Sequence, residues 1–111
     1  MKVINCCNHD VEICDENGNI IKVYKPSGYC ARLKHDVRFV DDIDGVPVKV
    51  RENNKVIGLP RPEEGTFYIV SDIILKAAHW RQDLLGCGGK YFNDDGSVRG
   101  WTAFTRNMRK S

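Results

Sequence analysis

Long apolar runs are missing from this 111-residue sequence, and so is an apolar N-terminal segment. A membrane-spanning helix needs about 20 consecutive apolar residues, whereas the longest apolar runs here contain only a few. A secretory signal peptide needs an apolar segment near its start, which residues 1–10 lack. We therefore expect a cytoplasmic protein with no membrane partner.

A strong charge of either sign is also absent. The 17 lysines and arginines nearly balance the 15 acids, which leaves a net charge of +2. The basic residues are spread along the chain except at residues 106–110, a tail that we expect to be solvated and mobile. Such a small charge gives no reason to expect duplex nucleic acid as a partner.

The sequence signatures of common enzyme classes are absent as well. There is no G-x-S-x-G elbow, P-loop, H-E-x-x-H pair or dinucleotide-binding glycine motif. His35-Asp36 could form a base with its orienting carboxylate, and Cys30 could act as a nucleophile. A surface histidine and a core thiol are the commoner identities of such residues in strands and turns. We therefore expect no enzyme activity, no catalytic residues and no cofactor.

Paired cysteine spacings are missing too. The chain has five cysteines, an odd number, and no C-x-x-C pair. Cys6, Cys7 and His9 are close in sequence, but neighbouring residues of a strand point to opposite faces, which disfavours a shared metal ion. We expect buried free thiols, with neither a disulfide framework nor a metal site.

Short strands and turns fill the first half of the chain. Asn17-Gly18 is the dipeptide of a type I′ hairpin turn, and Asp44-Gly45 marks another turn. Pro47 confines its strand to a sheet edge or a strand end. This pattern predicts an N-terminal antiparallel β meander.

One stretch, residues 65–85, predicts a buried strand that leads into the main helix of the fold. Residues 66–70 are β-branched or aromatic, which suits a buried strand. Ser71 can cap a helix, and Gly86 can end it. From residue 73 the apolar residues fall on one helical face, namely Ile73, Ile74, Ala77, Ala78, Trp80, Leu84 and Leu85. A helix over residues 71–85 is predicted.

The last part of the chain predicts a C-terminal β-hairpin. Its turn is Asp94-Asp95-Gly96, flanked by Tyr91-Phe92 and by residues 98–104. Together these segments predict an α+β fold: an antiparallel meander, one main helix near residues 71–85, and a late hairpin. The length of 111 residues fits a single domain over residues 1–111.

Arg81 breaks the helical pattern because it falls among the apolar residues of the predicted helix. A buried guanidinium needs a carboxylate, carbonyl oxygens or an anionic ligand. Two interpretations stay open. In the first, Arg81 forms an internal ion pair or extends to the rim of the core. In the second, it binds an anion in a ligand or subunit-interface pocket.

Aromatic and arginine side chains gather in the last third of the sequence. Aromatic faces stack on bases, arginine pairs with phosphate, and glycine lets backbone N–H groups approach a ligand. The alternative is that these aromatic rings simply pack on the helix. The predicted ligand-binding set is Arg81, Trp80, Arg99, Tyr91, Phe92, Trp101, Gly88 and Gly89.

Nearly the whole chain resembles a widespread family of small phage and prophage proteins. The matching segments keep the order of the family, and they are Asn5 with His9 and Val11; Asp15-Glu16-Asn17-Gly18; Pro26-Ser27-Gly28 with Ala31-Arg32; Asp44-Gly45-Val46-Pro47-Val48; Gly58-Leu59-Pro60 with Pro62; Gly65-Thr66 with Tyr68-Ile69-Val70-Ser71; Arg81 with Asp83-Leu84-Leu85; and Asp95 with Val98 and Gly100. The chain departs from the family at Cys6-Cys7-Asn8, where relatives carry Leu-Thr-Pro, and at Trp101, where many carry cysteine.

The resemblance extends to the first type of Thoeris anti-defence proteins. It implies a phage-encoded sponge in the host cell cytoplasm that binds cyclic ADP-ribose isomers made by bacterial TIR-domain enzymes, without cleaving them. It also implies a homo-oligomer and, in some members, separate sites for cyclic oligonucleotides. The competing expectation is a small phage adaptor or inhibitor that binds a host protein through its sheet, with Pro47 and the charged strands protecting or presenting an edge.

Overall fold

The computed structural model describes residues 1–108. Two β-sheets and one short helix make up the fold, with bounds β1 Lys2–Asn5, β2 Val11–Cys14, β3 Ile20–Tyr24, β4 Arg32–Ile43, β5 Val46–Ile57, β6 Thr66–Ile69, α1 Asp72–Ala77, β7 Leu84–Phe92 and β8 Val98–Thr105. The predicted α+β class with a main helix is therefore wrong: the protein is mostly β.

Six strands form the larger sheet in the order β1-β6-β7-β8-β2-β3. Strand β6 is parallel to both β1 and β7, and β8 is parallel to β2, while β7–β8 and β2–β3 are antiparallel hairpins. The predicted continuous N-terminal meander is therefore wrong. Strands β1 and β2 do not pair with each other: β1 pairs with β6, and β2 lies between β3 and β8, so each takes a partner from the second half of the chain.

The outer strands of the larger sheet meet at one end through Asn5. The buried Asn5 side chain donates from Nδ2 to the carbonyl oxygens of Tyr24 at 2.9 Å and His9 at 2.8 Å. The Asn5 carbonyl in turn accepts from the Ser27 hydroxyl at 2.6 Å. The Asn5 side chain links β1 to the end of β3, and its backbone carbonyl holds the segment that follows β3, so the sheet curls back on itself.

The helix begins where the sequence predicts but ends eight residues early. Ser71 caps α1 through its hydroxyl, which accepts from the N–H of Ile74. The helix ends at Ala77 because Leu84 and Leu85 belong to β7, where they pair with Tyr68 and Ile69 of β6. The predicted helix over residues 71–85 is wrong in its second half.

The first part of the predicted basic tail makes hydrogen bonds to the body of the protein. The Asn107 side chain donates from Nδ2 to the carbonyls of Leu75, Ala78 and Arg81 at 3.1–3.3 Å, which satisfies acceptors around the end of α1. Arg106 donates to the Gln82 carbonyl at 2.8 Å. The predicted solvated tail therefore has contacts to the body at these two residues, and residues 109 and 110 lie outside the described part of the chain.

Strands β4 and β5 form a separate two-stranded sheet, here called the hairpin arm. Its turn is Asp44-Gly45, and both residues have positive φ (55° and 76°), as a two-residue type I′ turn requires. A type I′ turn is also predicted at Asn17-Gly18, between β2 and β3. Of these two residues only Gly18 has a positive φ, at 82°, so the turn is not of that type. The Asp15 carboxylate instead accepts from the N–H groups of Asn17 and Asn19 and shapes a longer loop.

The core lies on both faces of β6 and β7. On one face α1 covers the sheet through a buried cluster of Cys6, Tyr68, Val70, Ile74, Leu75, Ala78 and Leu84. Leu33 and Val56 at the base of the hairpin arm pack against this cluster. The other face buries Val11, Ile13, Ile69 and Leu85. The predicted C-terminal hairpin is present as β7–β8, and it supplies Leu84 and Leu85 to the two clusters.

Candidate functional site

An open groove of about 560 Å³ lies beside the turn that follows α1. It is lined by Pro62, Trp80, Arg81, Gln82 and Asp83. The turn exists because the helix ends at Ala77, which leaves Trp80 outside the core with 66% of its surface exposed. The groove therefore presents a large aromatic surface next to a guanidinium group.

The Arg81 guanidinium is held in place by three hydrogen bonds. Nε and Nη2 donate to the two carboxylate oxygens of Asp83 at 2.9 and 2.7 Å, and Nη1 donates to the Pro60 carbonyl at 3.0 Å. The side chains of Arg81 and Asp83 are only 12% and 18% exposed. The guanidinium also lies 5.8 Å from the centre of the Tyr68 ring. The internal ion pair is thus the role of Arg81 that the structure shows.

The pair changes the acidity of both partners in the direction expected for a bidentate contact. The hydrogen bonds from Arg81 hold the pKa of the Asp83 carboxyl below its ordinary value, and the same bonds raise the pKa of Arg81. A guanidinium has five N–H donors. Within residues 1–108, three of the five have acceptors and two do not.

Trp80 is the most accessible aromatic side chain of this groove. The His79 ring meets it edge-on at 5.3 Å between ring centres, with an angle of 85° between the planes. Its exposed surface is suited to stacking with a flat ring such as a base.

Tyr91, Phe92 and Arg99 of the predicted set lie beside the β7–β8 turn. Tyr91, Phe92 and Arg99 line a polar pocket of about 260 Å³ together with Asn17-Gly18-Asn19. Gly18 is required there, since a Cβ atom at that position would lie 2.5 Å from the Tyr91 ring. The open groove contains only Trp80 and Arg81 of the predicted set, so the structure divides that set between separate surfaces.

Trp101 lines two small cavities near the first turn. One, of about 180 Å³, includes Arg99, His9 and Glu12. The other, of about 220 Å³, is mainly apolar and includes Cys7 and Cys87. The Lys90 ammonium also lies 5.7 Å from the Trp101 ring centre. Trp101 and Arg99 therefore form a second candidate surface, apart from the open groove.

Gly88 and Gly89 lie inside β7, opposite β8. A Cβ atom at Gly88 would lie 2.7 Å from Thr105 Cγ2, and one at Gly89 would overlap Thr102 Oγ1. The Thr102 hydroxyl donates to the Gly89 carbonyl at 2.8 Å. Close packing against two threonines explains why these positions are glycine without a ligand.

Within residues 1–108, His35 and Asp36, the possible base and its orienting carboxylate, form no hydrogen bond with each other. Asp36 accepts from the Asn53 side chain at 3.0 Å, while the buried Nδ1 of His35 has no partner within residues 1–108. Cys30 is exposed rather than a core thiol. Among the residues described, no group of three or more metal-ligating side chains comes together.

All five cysteines are free thiols, and burial makes three of them poor nucleophiles. Desolvation raises the pKa of Cys6 and of Cys87 to about 11, and it also raises the pKa of Cys7.

We predict that reductant and chelator leave the melting temperature unchanged. A fall of more than about ten degrees with either, measured by differential scanning fluorimetry, would contradict this, because losing a disulfide or a structural metal costs several kcal/mol.

Three residues of the open groove, Pro62, Gln82 and Asp83, are absent from the predicted site. Pro62 and Gln82 line the groove, but neither residue type has a specific sequence signal for ligand binding. In a helix, residues two positions apart do not face each other, so the predicted helix over residues 71–85 separates Asp83 from Arg81. An Arg-x-Asp spacing brings both side chains to one side of an extended segment, and this was the signal that the helical interpretation concealed.

Within residues 1–108, no helix is long and apolar enough to cross a membrane.

Comparison with known proteins finds no relative of this chain. No protein-family model, curated protein or solved structure matches the chain. Its resemblance to the first type of Thoeris anti-defence proteins therefore stays a prediction that rests on the sequence motifs.

Proposed function

We propose that this protein is a phage anti-defence protein that binds a cyclic ADP-ribose-type immune signal in the host cell cytoplasm and sequesters it without cleavage. The observation that carries the proposal is the exposed Trp80 ring beside the fixed Arg81 guanidinium. The family motifs point to the same ligand class. Sequestration needs stable binding only, so it requires neither a nucleophile nor a general base.

The two sides of such a ligand would use different parts of the groove. The adenine ring stacks on Trp80, a contact worth about 1–3 kcal/mol for a base on an aromatic side chain. A pyrophosphate oxygen accepts from the two N–H groups of Arg81 that are not bonded to Asp83 or Pro60. Because Asp83 holds the guanidinium still, little side-chain entropy is lost on binding. A cyclic oligonucleotide, if bound, is assigned to the separate surface around Arg99 and Trp101.

We predict that Trp80→Ala weakens retention of cyclic ADP-ribose by roughly 5- to 150-fold, the equivalent of one lost stacking contact. Its melting temperature should be unchanged, since the ring is mostly exposed. Tyr29→Ala is the matched control, because Tyr29 is an exposed aromatic residue outside the groove. Protein is incubated with the nucleotide, washed, heat-denatured, and the released ligand identified by mass spectrometry.

Each result of that experiment has one meaning. Intact ligand released by wild type and Tyr29→Ala, but not by Trp80→Ala, supports the sponge. Chemically altered ligand would mean an enzyme. Equal retention by Trp80→Ala would remove this groove from the site, and Phe92→Ala and Trp101→Ala would then test the other surface.

The second candidate is a phage adaptor or inhibitor that binds a host protein. The hairpin arm favours it, because β4 and β5 pair only with each other among the described strands. Failure of the wild-type protein to retain any nucleotide would support this candidate over the sponge.

A further inference from the structure

The distal half of the hairpin arm is exposed on both faces. Residues 36–43 are all exposed, and they include Val37 at 56% and Phe39 at 58% of their full surface. Leu33 and Val56 anchor the arm at its base, and His35 is half-buried, but residues 36–43 of β4 are not covered by any part of residues 1–108. Apolar side chains on an uncovered strand are typical of a surface that another chain covers.

The two edges of the arm differ in their capacity to pair with another strand. Strand β5 carries Pro47, which lacks an N–H, and Asn53, whose φ of 56° accompanies an extra residue opposite Lys34–Asp36. Strand β4 has no proline, and its own extra residue comes only at Val40. Residues 32–39 therefore form a regular free edge of eight residues.

We infer that this edge of β4 pairs antiparallel with β4 of a second copy, around a two-fold axis at Val37. In that register Asp36 lies opposite Arg38 of the other copy. The contact occurs twice because the interface is isologous. Directly opposed side chains share one face of an antiparallel pair, so both contacts join opposite charges at close range.

Neighbouring registers lose this complementarity. An axis at Arg38 places that cation opposite its own copy, and an axis between Val37 and Arg38 places Asp36 opposite Phe39. The chosen register also leaves the Arg38–Glu52 ion pair in place, at 2.7 Å from Nη2 to Oε1, so Arg38 bridges two carboxylates. The result is a four-stranded sheet in the order β5-β4-β4-β5, which is more stable than an isolated two-stranded ribbon.

The decisive variant is Val37→Glu. It sets two like charges against each other at the axis, while within its own hairpin the new carboxylate faces Arg51. Wild type should have about twice the 12.6 kDa chain mass by light scattering, and Val37→Glu should have the mass of one chain with an unchanged circular dichroism spectrum. Ile21→Glu, at an equally exposed position of β3, is the control and should stay dimeric.

A charge exchange tests the register itself. Asp36→Arg alone should weaken the dimer at least tenfold, because two cations then oppose each other at each contact. Adding Arg38→Asp should restore it by exchanging the partners. The exchange also preserves an attraction within the arm, since position 36 lies opposite Glu52.

A crosslink tests contact directly. In a Cys30→Ser background, Val37→Cys should form an intermolecular disulfide under mild oxidation, since opposed residues of an antiparallel pair are within disulfide reach. Val46→Cys at the exposed tip should not. A monomeric wild type, a Val37→Glu protein that keeps its dimer mass, or the absence of a Val37→Cys crosslink would each overturn the inference. None of these results depends on nucleotide binding, so the dimer and the proposed function fail separately.

Discussion

Replacing Arg81 by alanine is expected to lower the free energy of unfolding by roughly 3–5 kcal/mol. The change leaves the mostly buried Asp83 carboxylate and the Pro60 carbonyl without their donor, and it removes the cation beside the Tyr68 ring. Urea denaturation at fixed protein concentration measures the loss. Arg81→Lys should recover only part of the stability, because an ammonium cannot reproduce the bidentate contact.

Lys25→Ala is the control for this prediction. Lys25 pairs with Asp10 at 3.4 Å, but the two side chains are exposed, so the change should cost less than about 1 kcal/mol. An equal and small loss in both variants would show that Arg81 is not needed for the fold. In that case the nucleotide retention of the Arg81→Ala protein can be measured directly, because the variant is folded. Otherwise Trp80→Ala is the cleaner test of binding.

The Arg81–Asp83 pair also predicts the direction in which stability changes with pH. The folded-state pKa of Asp83 is lowered by Arg81, so its contribution to stability is fully present above the unfolded-state pKa, about 3.9. That contribution is lost as the pH falls through the lower folded-state value. The stability difference between wild type and Asp83→Asn should therefore be constant near neutral pH and shrink in acid. A difference that grows in acid would contradict the assignment.

Gly58→Ala is expected to lower the free energy of unfolding by about 2–5 kcal/mol, the second large effect. Gly58 has a φ of 79°, which costs an alanine about 1–2 kcal/mol. A Cβ atom there would also overlap the backbone carbonyl oxygen of Cys30, which cannot rotate away as a side chain could. Overpacking of this kind adds about 1–3 kcal/mol. Urea denaturation measures the total.

Gly45→Ala separates the two causes. Gly45 has nearly the same φ, 76°, but nothing lies near the position of its missing Cβ. It should therefore lose only the conformational part, about 1–2 kcal/mol. If the two variants unfold alike, the contact between Gly58 and Cys30 makes no contribution to stability.

Local chemistry predicted the turns better than the sheet. The segments around Asn17-Gly18, Asp44-Gly45 and Asp95-Gly96 do connect neighbouring antiparallel strands, because a turn and its flanking residues are contiguous in sequence. The parallel pairs of β1 with β6 and of β2 with β8 have no such signal. Nothing in Lys2–Asn5 specifies a partner more than sixty residues away.

The helix error has a similar cause. Leu84 and Leu85 fit both a helical period and a buried strand, and apolar periodicity alone cannot separate the two. Tertiary contacts decide: β6 supplies hydrogen-bonding partners for these residues, and Asn107 satisfies the carbonyls at the end of α1. The shorter helix is what exposes Trp80, so the same error concealed the groove.

For the predicted site, the sequence indicates the chemistry of single residues better than it indicates which residues lie together. The sequence predicts that the Arg81 cation needs a partner, and Asp83 provides one. The sequence also predicts one site for Trp80 and the aromatic residues around Arg99, but the latter lie on the β7–β8 hairpin and line other cavities. Trp80 precedes strand β7, whereas Arg99 and Trp101 lie in β8, so a whole strand separates these parts of the predicted site.

The strand order of the larger sheet also constrains when the protein can fold during synthesis. Strand β8 lies between β7 and β2, with Trp101 beside Ile13. The β2–β3 hairpin therefore cannot join the sheet until β8 has left the ribosome, and the ribosome adds only about 5–20 residues per second. The hairpin arm needs only its own turn and can form first. Pairing between distant segments makes folding slow, and the edge of β2 that pairs with β8 stays without its partner until β8 arrives.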